Sequence, residues 1–144
     1  MKIPAILTGK NLKIIRSLYK LGLYFGIIFQ IMDDYLDYFG YRVTGKKNGK
    51  DFYEGKITLP VILLLKKSNY TEVNFIKKVF NKRKRLKNDY TEIMNLMKKY
   101  KISDDINKFC NKYNKKSLKI LKLFKGYPKD LFLNLLISSI NRTY

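Results

Sequence analysis

The sequence predicts an all-α helical bundle, and three observations carry that prediction. Apolar residues return every three or four positions in several separate stretches, no stretch alternates strictly enough to support a strand, and no internal repeat breaks the pattern. At 144 residues the chain fits one ordinary domain with a real apolar core.

The first helix is expected from Asn11 to Phe39. Leu12, Ile15, Leu18 and Tyr19 follow helical spacing, and Asn11 is a residue type that caps a helix start. From Leu21 onward the helix is apolar nearly all round, which predicts burial inside a bundle. Gly40 ends it. The segment from Gly40 to Lys56, rich in Gly and Lys, reads as an ordered loop or short helix. Thr58 can cap the next helix, with Pro60 tolerated in its first turn because amide donors there have no partner to lose. Val61, Ile62, Leu64 and Leu65 form its core side.

Further helices are expected to start at Thr71 (Val73, Ile76, Val79, Phe80), near Tyr90 (Ile93, Leu96, Met97, Tyr100) and at Ser103 (Ile106, Phe109, Cys110, Tyr113). The last begins after Gly126-Tyr127-Pro128, with Leu131, Leu135 and Leu136 on its apolar side. The basic run from Lys82 to Lys87 separates two of these helices and is expected to be solvated.

Charge and cysteine usage narrow the function classes. Lys and Arg number 31 against 11 Asp and Glu, a formal net charge of +20. Such an excess draws polyanions of any kind, including nucleic acid, anionic lipid and diphosphates. Heavy use of Lys, Asn, Ile, Tyr and Phe, whose codons are rich in A and T, explains the same excess without function. The absence of His and the single cysteine, Cys110, exclude His-dependent catalysis, His- or Cys-rich metal sites and an internal disulfide. The opening Met1 to Gly9 has too short an apolar run for a signal core, and Leu21–Met32 and Leu131–Ile140, interrupted at Gln30 and Asn134, fall short of a bilayer span. The expectation is a soluble, cytoplasmic chain without a transmembrane segment.

Five of the 11 acidic residues, Asp33, Asp34, Asp37, Asp51 and Glu54, fall in one short stretch of this basic chain. Asp33 and Asp37 are one helical turn apart on one face, Gln30 lies on that face, and Asp34 is displaced around the helix but can reach its rim. Phe29, Ile31, Met32, Leu36 and Phe39 cover the rest of the helix. Carboxylates beside an apolar interior repel one another and lose hydration, at several kcal/mol per ion on the order expected for buried charge. A hard divalent cation that keeps waters and also binds phosphate oxygens removes that cost, and magnesium fits the description. A bare Asp-Asp-x-x-Asp is more often the pattern of a solvated acidic stripe paired with lysines.

The residues after the aspartates favour the first reading. Gly45 and Gly49 permit close backbone approach beside Lys46, Lys47 and Lys50, and Glu54-Gly55-Lys56-Ile57-Thr58-Leu59-Pro60 sets another lysine just before a helix start. These residue types suit a diphosphate held between magnesium and ammonium groups.

The string Phe29-Gln30-Ile31-Met32-Asp33-Asp34-Tyr35-Leu36-Asp37-Tyr38, followed by Gly45-Lys46, Gly49, Asp51 and Glu54 to Pro60, resembles the second aspartate-rich region of trans-polyprenyl (isoprenyl) diphosphate synthases. Leu23-Tyr24-Phe25-Gly26 is similar to the helix preceding that motif, and the Glu-Gly-Lys-x-Thr-Leu-Pro ending is nearest to the long-chain (octaprenyl/decaprenyl-type) bacterial enzymes that make quinone side chains. The resemblance implies the C-terminal part of an isoprenoid-synthase fold over residues 1–144, with the N-terminal half absent: the earlier Asp-Asp-x-x-Asp, the Arg and Lys of the isopentenyl site and the Lys-Thr pair are missing.

It further implies head-to-tail condensation of an allylic diphosphate with isopentenyl diphosphate, with Mg2+ as cofactor. Asp33, Asp34 and Asp37 would bind metal, Asp33, Asp37, Lys46 and Lys56 would act in catalysis, and Gln30, Lys46 and Lys56 would hold the allylic diphosphate. Phe25, Phe29 and Tyr35 would line a tunnel for the growing chain or pack the core. The implied partners are a second copy or a complementing N-terminal chain, and the chain alone is expected to be inactive or very weak. Three alternatives compete: a basic nucleic-acid-binding module, which lacks a recognition motif; a non-catalytic subunit of a heteromeric synthase; and a terpene-cyclase-like fold, which leaves Glu54 to Pro60 unexplained.

Overall fold

The computed structural model describes residues 11–40 and 48–140, together with Ile6 and Gly9. The all-α expectation holds: these residues form seven helices and no strand. We label them α1 (Leu12–Phe39), α2 (Lys50–Glu54), α3 (Leu59–Lys67), α4 (Tyr70–Phe80), α5 (Lys87–Lys99), α6 (Ile102–Leu121) and α7 (Tyr127–Ile140).

Asn11 caps α1 as expected, its Oδ1 accepting the Ile14 amide at 3.0 Å. Gly40 closes α1, its amide donating to the Leu36 carbonyl at 3.0 Å. Helix α4 begins at Tyr70 rather than Thr71, because Asn69 and Glu72 form a reciprocal capping box. Helix α5 begins at Lys87, ahead of Tyr90, since Asp89 Oδ2 accepts the Leu86 amide at 2.9 Å. Helix α6 starts at Ile102, one residue before Ser103.

The chain divides into two compact units. The first joins the described residues through Met32 to residues 109–140. Its buried residues include Leu21, Ile28, Cys110, Ser117, Leu121 and Leu136. Tyr24 lies against Tyr113 with ring centroids 5.8 Å apart, and the Lys116 ammonium sits over both rings.

The second unit, residues 33–108, holds the acidic cluster. Its core is built on Tyr38, Phe52, Val61, Leu64, Ile76, Ile93, Met97, Ile102 and Ile106. Phe52 is the hub of an aromatic group, edge-on to Tyr53, Phe80 and Tyr90 at 5.3, 5.5 and 5.4 Å. Polar ties close the rim of this unit. Glu72 takes Lys99 Nζ at 2.6 Å and the Tyr100 hydroxyl at 2.5 Å, while Lys67 pairs with Asp105.

Two expectations about α1 change. From Leu21 onward the helix is not buried all round, since Leu23 (48%) and Phe29 (39%) remain exposed, as do Leu12 (69%) and Tyr19 (55%) before it. By length and composition α1 also passes as a membrane span, because the helix extends well upstream of Leu21. A core helix of a soluble protein passes the same test, and three aspartates occupy the last two turns of this one.

Candidate functional site

The three α1 aspartates have three different environments. Asp33 is exposed, Asp37 is half-buried and Asp34 is buried at 7% exposure. Helical geometry separates adjacent residues by about 100°, so one of a consecutive pair turns away from its neighbour's face. Here Asp34 turns inward, and its Oδ2 accepts the Leu59 amide at 3.0 Å. Leu59 is the first residue of α3. A carboxylate at that position satisfies an otherwise unpaired amide and meets the positive end of the helix dipole. Thr58 holds the cap position as expected but makes no capping hydrogen bond with its side chain, so Asp34 caps α3 from another helix. The rim position expected of Asp34 is therefore not the one it adopts.

Asp37 organises the backbone of the next segment. Its carbonyl accepts the Gly49 amide at 2.7 Å, and its Oδ2 accepts the Asp51 amide at 3.1 Å. Burial, with repulsion from Asp51 and Asp33, outweighs the Asp51 and Lys50 amides that face the carboxylate and pushes the Asp37 carboxyl above the usual range. The pair Asp33 and Asp37 thus carries negative charge that a cation would relieve.

Helix α2 is bounded by two left-handed glycines, Gly49 (φ 85°) and Gly55 (φ 77°). Both are also covered. A Cβ at Gly49 would lie 2.5 Å from the Tyr90 ring, and one at Gly55 would lie 2.0 Å from Arg85 Nη2. Only glycine serves at either end.

The second glycine turns the chain so that Lys56 folds back on α2. Its amide donates to the Asp51 carbonyl at 2.9 Å, and its Nζ meets Glu54 at 2.6 Å and Asp51 at 3.1 Å. Glu54 first, and then Asp51, hold the Lys56 ammonium above the ordinary lysine range. Asp51 therefore links Asp37 to Lys56, which brings both ends of the predicted motif together within the second unit. Gln30 is exposed one turn before Asp33. Lys46, with Thr44, Gly45 and Lys47, lies outside the described residues.

The basic run contains residues that the sequence reading missed. Arg83 and Lys84 are solvated as expected, but Arg85 is half-buried and donates to the carbonyls of Phe52, Phe80 and Lys82 at 2.7, 3.0 and 2.6 Å. Lys82 pairs with the buried Asp89 at 2.5 Å. Asp89 was legible as an acid in a first helical turn. Nothing local distinguishes Arg85 from Arg83.

The donor set admits a magnesium ion of limited protein ligation. Among the described residues no three acidic or cysteine side chains converge into a ready-made cage. Magnesium commonly takes one or two carboxylates and completes its shell with waters and phosphate oxygens. Asp33 and Asp37 fit that pattern, whereas an Asp34 oxygen is already engaged by Leu59.

An all-α chain with an Asp-Asp-x-x-Asp helix and a glycine-bounded, lysine-bearing turn beside it is the structural class defined here. Polyprenyl synthetase is the family whose model matches, over residues 1–97. The chain belongs to that family. It is 50% identical over 60 residues to a geranylgeranyl pyrophosphate synthase of Geoglobus acetivorans, covering 42% of this chain and 19% of the relative. It is 41% identical over 66 residues to heptaprenyl diphosphate synthase component 2 of Bacillus subtilis, covering 45% and 19%. Among solved structures, a polyprenyl synthase from Caulobacter crescentus complexed with calcium and isoprenyl diphosphate superposes with a TM-score of 0.84 at 28% identity. That match covers 99% of this chain and 44% of the other, so the chain spans less than half the length of the proteins it matches.

Proposed function

We propose that this chain forms the second aspartate-rich half of a polyprenyl diphosphate synthase site, binding Mg2+ and the diphosphate of an allylic substrate through Asp33, Asp37 and Lys56, with Gln30 and Lys46 as further diphosphate contacts. The observation that carries the reading is the chain of contacts Asp37–Asp51–Lys56, which ties a metal-type carboxylate on α1 to a phosphate-type ammonium in the turn after α2. A relative complexed with calcium and isoprenyl diphosphate supports the use of a divalent cation in this reading.

The exposed face of α1 suits the same substrate. In the first unit Leu12, Tyr19, Leu23, Gly26 and Gln30 recur every three or four residues, apart from one seven-residue step, and so form one stripe. That stripe would lie along a prenyl chain. Phe29 borders the stripe, whereas Phe25 and Tyr35 are half-buried and serve packing, Tyr35 lying 5.2 Å from Phe39.

In the condensation, the allylic carbon–oxygen bond breaks, the isopentenyl double bond attacks the resulting cation, and a proton is lost. Bound magnesium would supply charge stabilisation of the departing diphosphate. Lys56 adds a fixed positive charge held in place by Glu54 and Asp51, so little reorganisation is needed as negative charge develops. Asp33 and Asp37 orient the metal-facing side. Asp34 keeps α3, and with it the Lys56 turn, registered against them.

The isopentenyl site and the first aspartate motif are assigned to a complementing N-terminal polypeptide or segment. The designation of one relative as a component 2 supports assembly with another chain. In this reading the assembly acts in the cytoplasm.

Melting of the full chain with Mg2+ and inorganic pyrophosphate tests the site. The pair together should raise the melting temperature, and Asp33→Ala with Asp37→Ala should abolish the rise. An unchanged shift in the double variant rejects the assignment.

A further inference from the structure

The Lys56 ammonium is paired with Glu54 and Asp51, but that pairing leaves open what holds the turn itself. Lys56 follows a left-handed glycine in a turn whose backbone is closed by two amide bonds, Gly55 to the Phe52 carbonyl and Lys56 to the Asp51 carbonyl, both 2.9 Å. Over that turn lies the guanidinium of Arg85. Its Nε donates to the same Phe52 carbonyl at 2.7 Å, and its Nη1 reaches the carbonyls of Phe80 and Lys82. Its Nη2 occupies the space that any side chain at residue 55 would need.

The loop carrying Arg85 is itself fastened, because Asp89 takes both Lys82 Nζ and the Leu86 amide. A few residues on, Tyr90 covers Gly49 and lies 5.7 Å from the Tyr53 ring at 24°. Both ends of α2 are thus covered from one short segment, residues 85–90.

We infer that Arg85 is a positioning residue for Lys56: its planar fork ties the α2 turn to the end of α4 and so sets where the diphosphate-binding ammonium stands. Geometry, more than charge, does this. The neighbouring Arg83 and Lys84 carry the same charge and are exposed, and they bond nothing in that turn. A lysine at 85 would retain the charge and lose the fork that reaches three carbonyls. The inference rests on the reading of Lys56 as a diphosphate ligand, but the clamp itself can be measured without ligand.

Two measurements on the full chain decide it, each with Arg85→Ala, Arg85→Lys and the control Arg83→Ala. Amide hydrogen exchange, without metal or ligand, should speed up about tenfold or more at Gly55 and Lys56 in Arg85→Ala, stay unchanged in Arg83→Ala, and speed up in Arg85→Lys as well. Calorimetric titration with pyrophosphate in Mg2+ should show affinity falling about tenfold or more in Arg85→Ala and Arg85→Lys but not in Arg83→Ala, the scale expected when a supporting contact of a ligand is removed. If Arg85→Ala does not fold, Arg85→Lys carries both measurements.

Exchange at Gly55 and Lys56 that is indifferent to Arg85 overturns the clamp. Faster exchange with unchanged affinity, or equal affinity losses in Arg83→Ala and Arg85→Ala, overturns the link to Lys56. A wild-type chain that exchanges as expected but binds no pyrophosphate overturns the diphosphate reading instead and leaves the clamp standing.

Discussion

The carboxylate of Asp34 accepts the amide of Leu59 at 3.0 Å, joining the middle of an Asp-Asp-x-x-Asp motif to the helix that begins just after Lys56. One aspartate of the three thus has a structural task that the motif pattern does not disclose. Asp34→Ala leaves the Leu59 amide without its acceptor and should cost about 1–2 kcal/mol, the usual loss of a helix cap. Urea denaturation in the presence of a chelator measures this with no metal involved. Asp34→Asn, which keeps an acceptor oxygen, should recover most of it. Equal stability of Asp34→Ala and wild type removes the capping role.

Asp37 should show the opposite balance. Its folded-state carboxyl titrates above the usual range, chiefly through burial, so the native state holds this proton more tightly than the unfolded state does. Its contribution to stability therefore falls as pH rises from the ordinary carboxylate range through its raised value. Asp37→Asn retains an acceptor for the Asp51 amide and drops the charge. Without metal near neutral pH it should melt at or above the wild-type temperature while losing the magnesium–pyrophosphate rise. A variant that melts lower and keeps the rise contradicts both assignments.

The Glu72 knot gives a pH signature far from the site. Lys99 first, and then the Tyr100 hydroxyl, lower Glu72 to about 2. Its stabilising effect is complete above the unfolded glutamate range and is lost as pH falls from there towards about 2. Glu72→Gln should therefore melt below wild type at neutral pH, with the gap closing through acid conditions. A gap constant across that window refutes the linkage.

Core truncation should separate the second unit from its surface. Phe52 is fully buried and touches three other aromatic rings, so Phe52→Ala should cost about 3–5 kcal/mol. Gly49→Ala should also destabilise, since it must adopt φ 85° and displace the Tyr90 ring. Chemical denaturation of each variant supplies the comparison, and a Gly49→Ala chain as stable as wild type rules out the covered turn.

The exposed apolar residues of α1 predict self-association of the isolated chain. Tyr19→Lys with Leu23→Glu should reduce light scattering at high concentration with little change in melting temperature. Undiminished scattering places the sticky surface elsewhere.

Helical spacing and the Asn11 cap located α1 to within a residue, because both depend on contacts three or four positions apart. The shared face of Gln30, Asp33 and Asp37 came from helix geometry alone. At the starts of α4 and α5 the caps at Asn69 and Leu86 begin the helix ahead of the apolar pattern, which marks only the later residues.

By itself, then, the sequence determined the all-α class, the acidic helix face and the glycine-bounded lysine turn, each a product of local backbone geometry. Only the tertiary structure decided that Asp34 faces inward to Leu59 and that Arg85, alone in its basic run, clamps the turn at Phe52. Those pairings join residues 25 and 33 positions apart. Contacts at that range depend on how packed helices bring distant segments together, and periodicity carries no record of it.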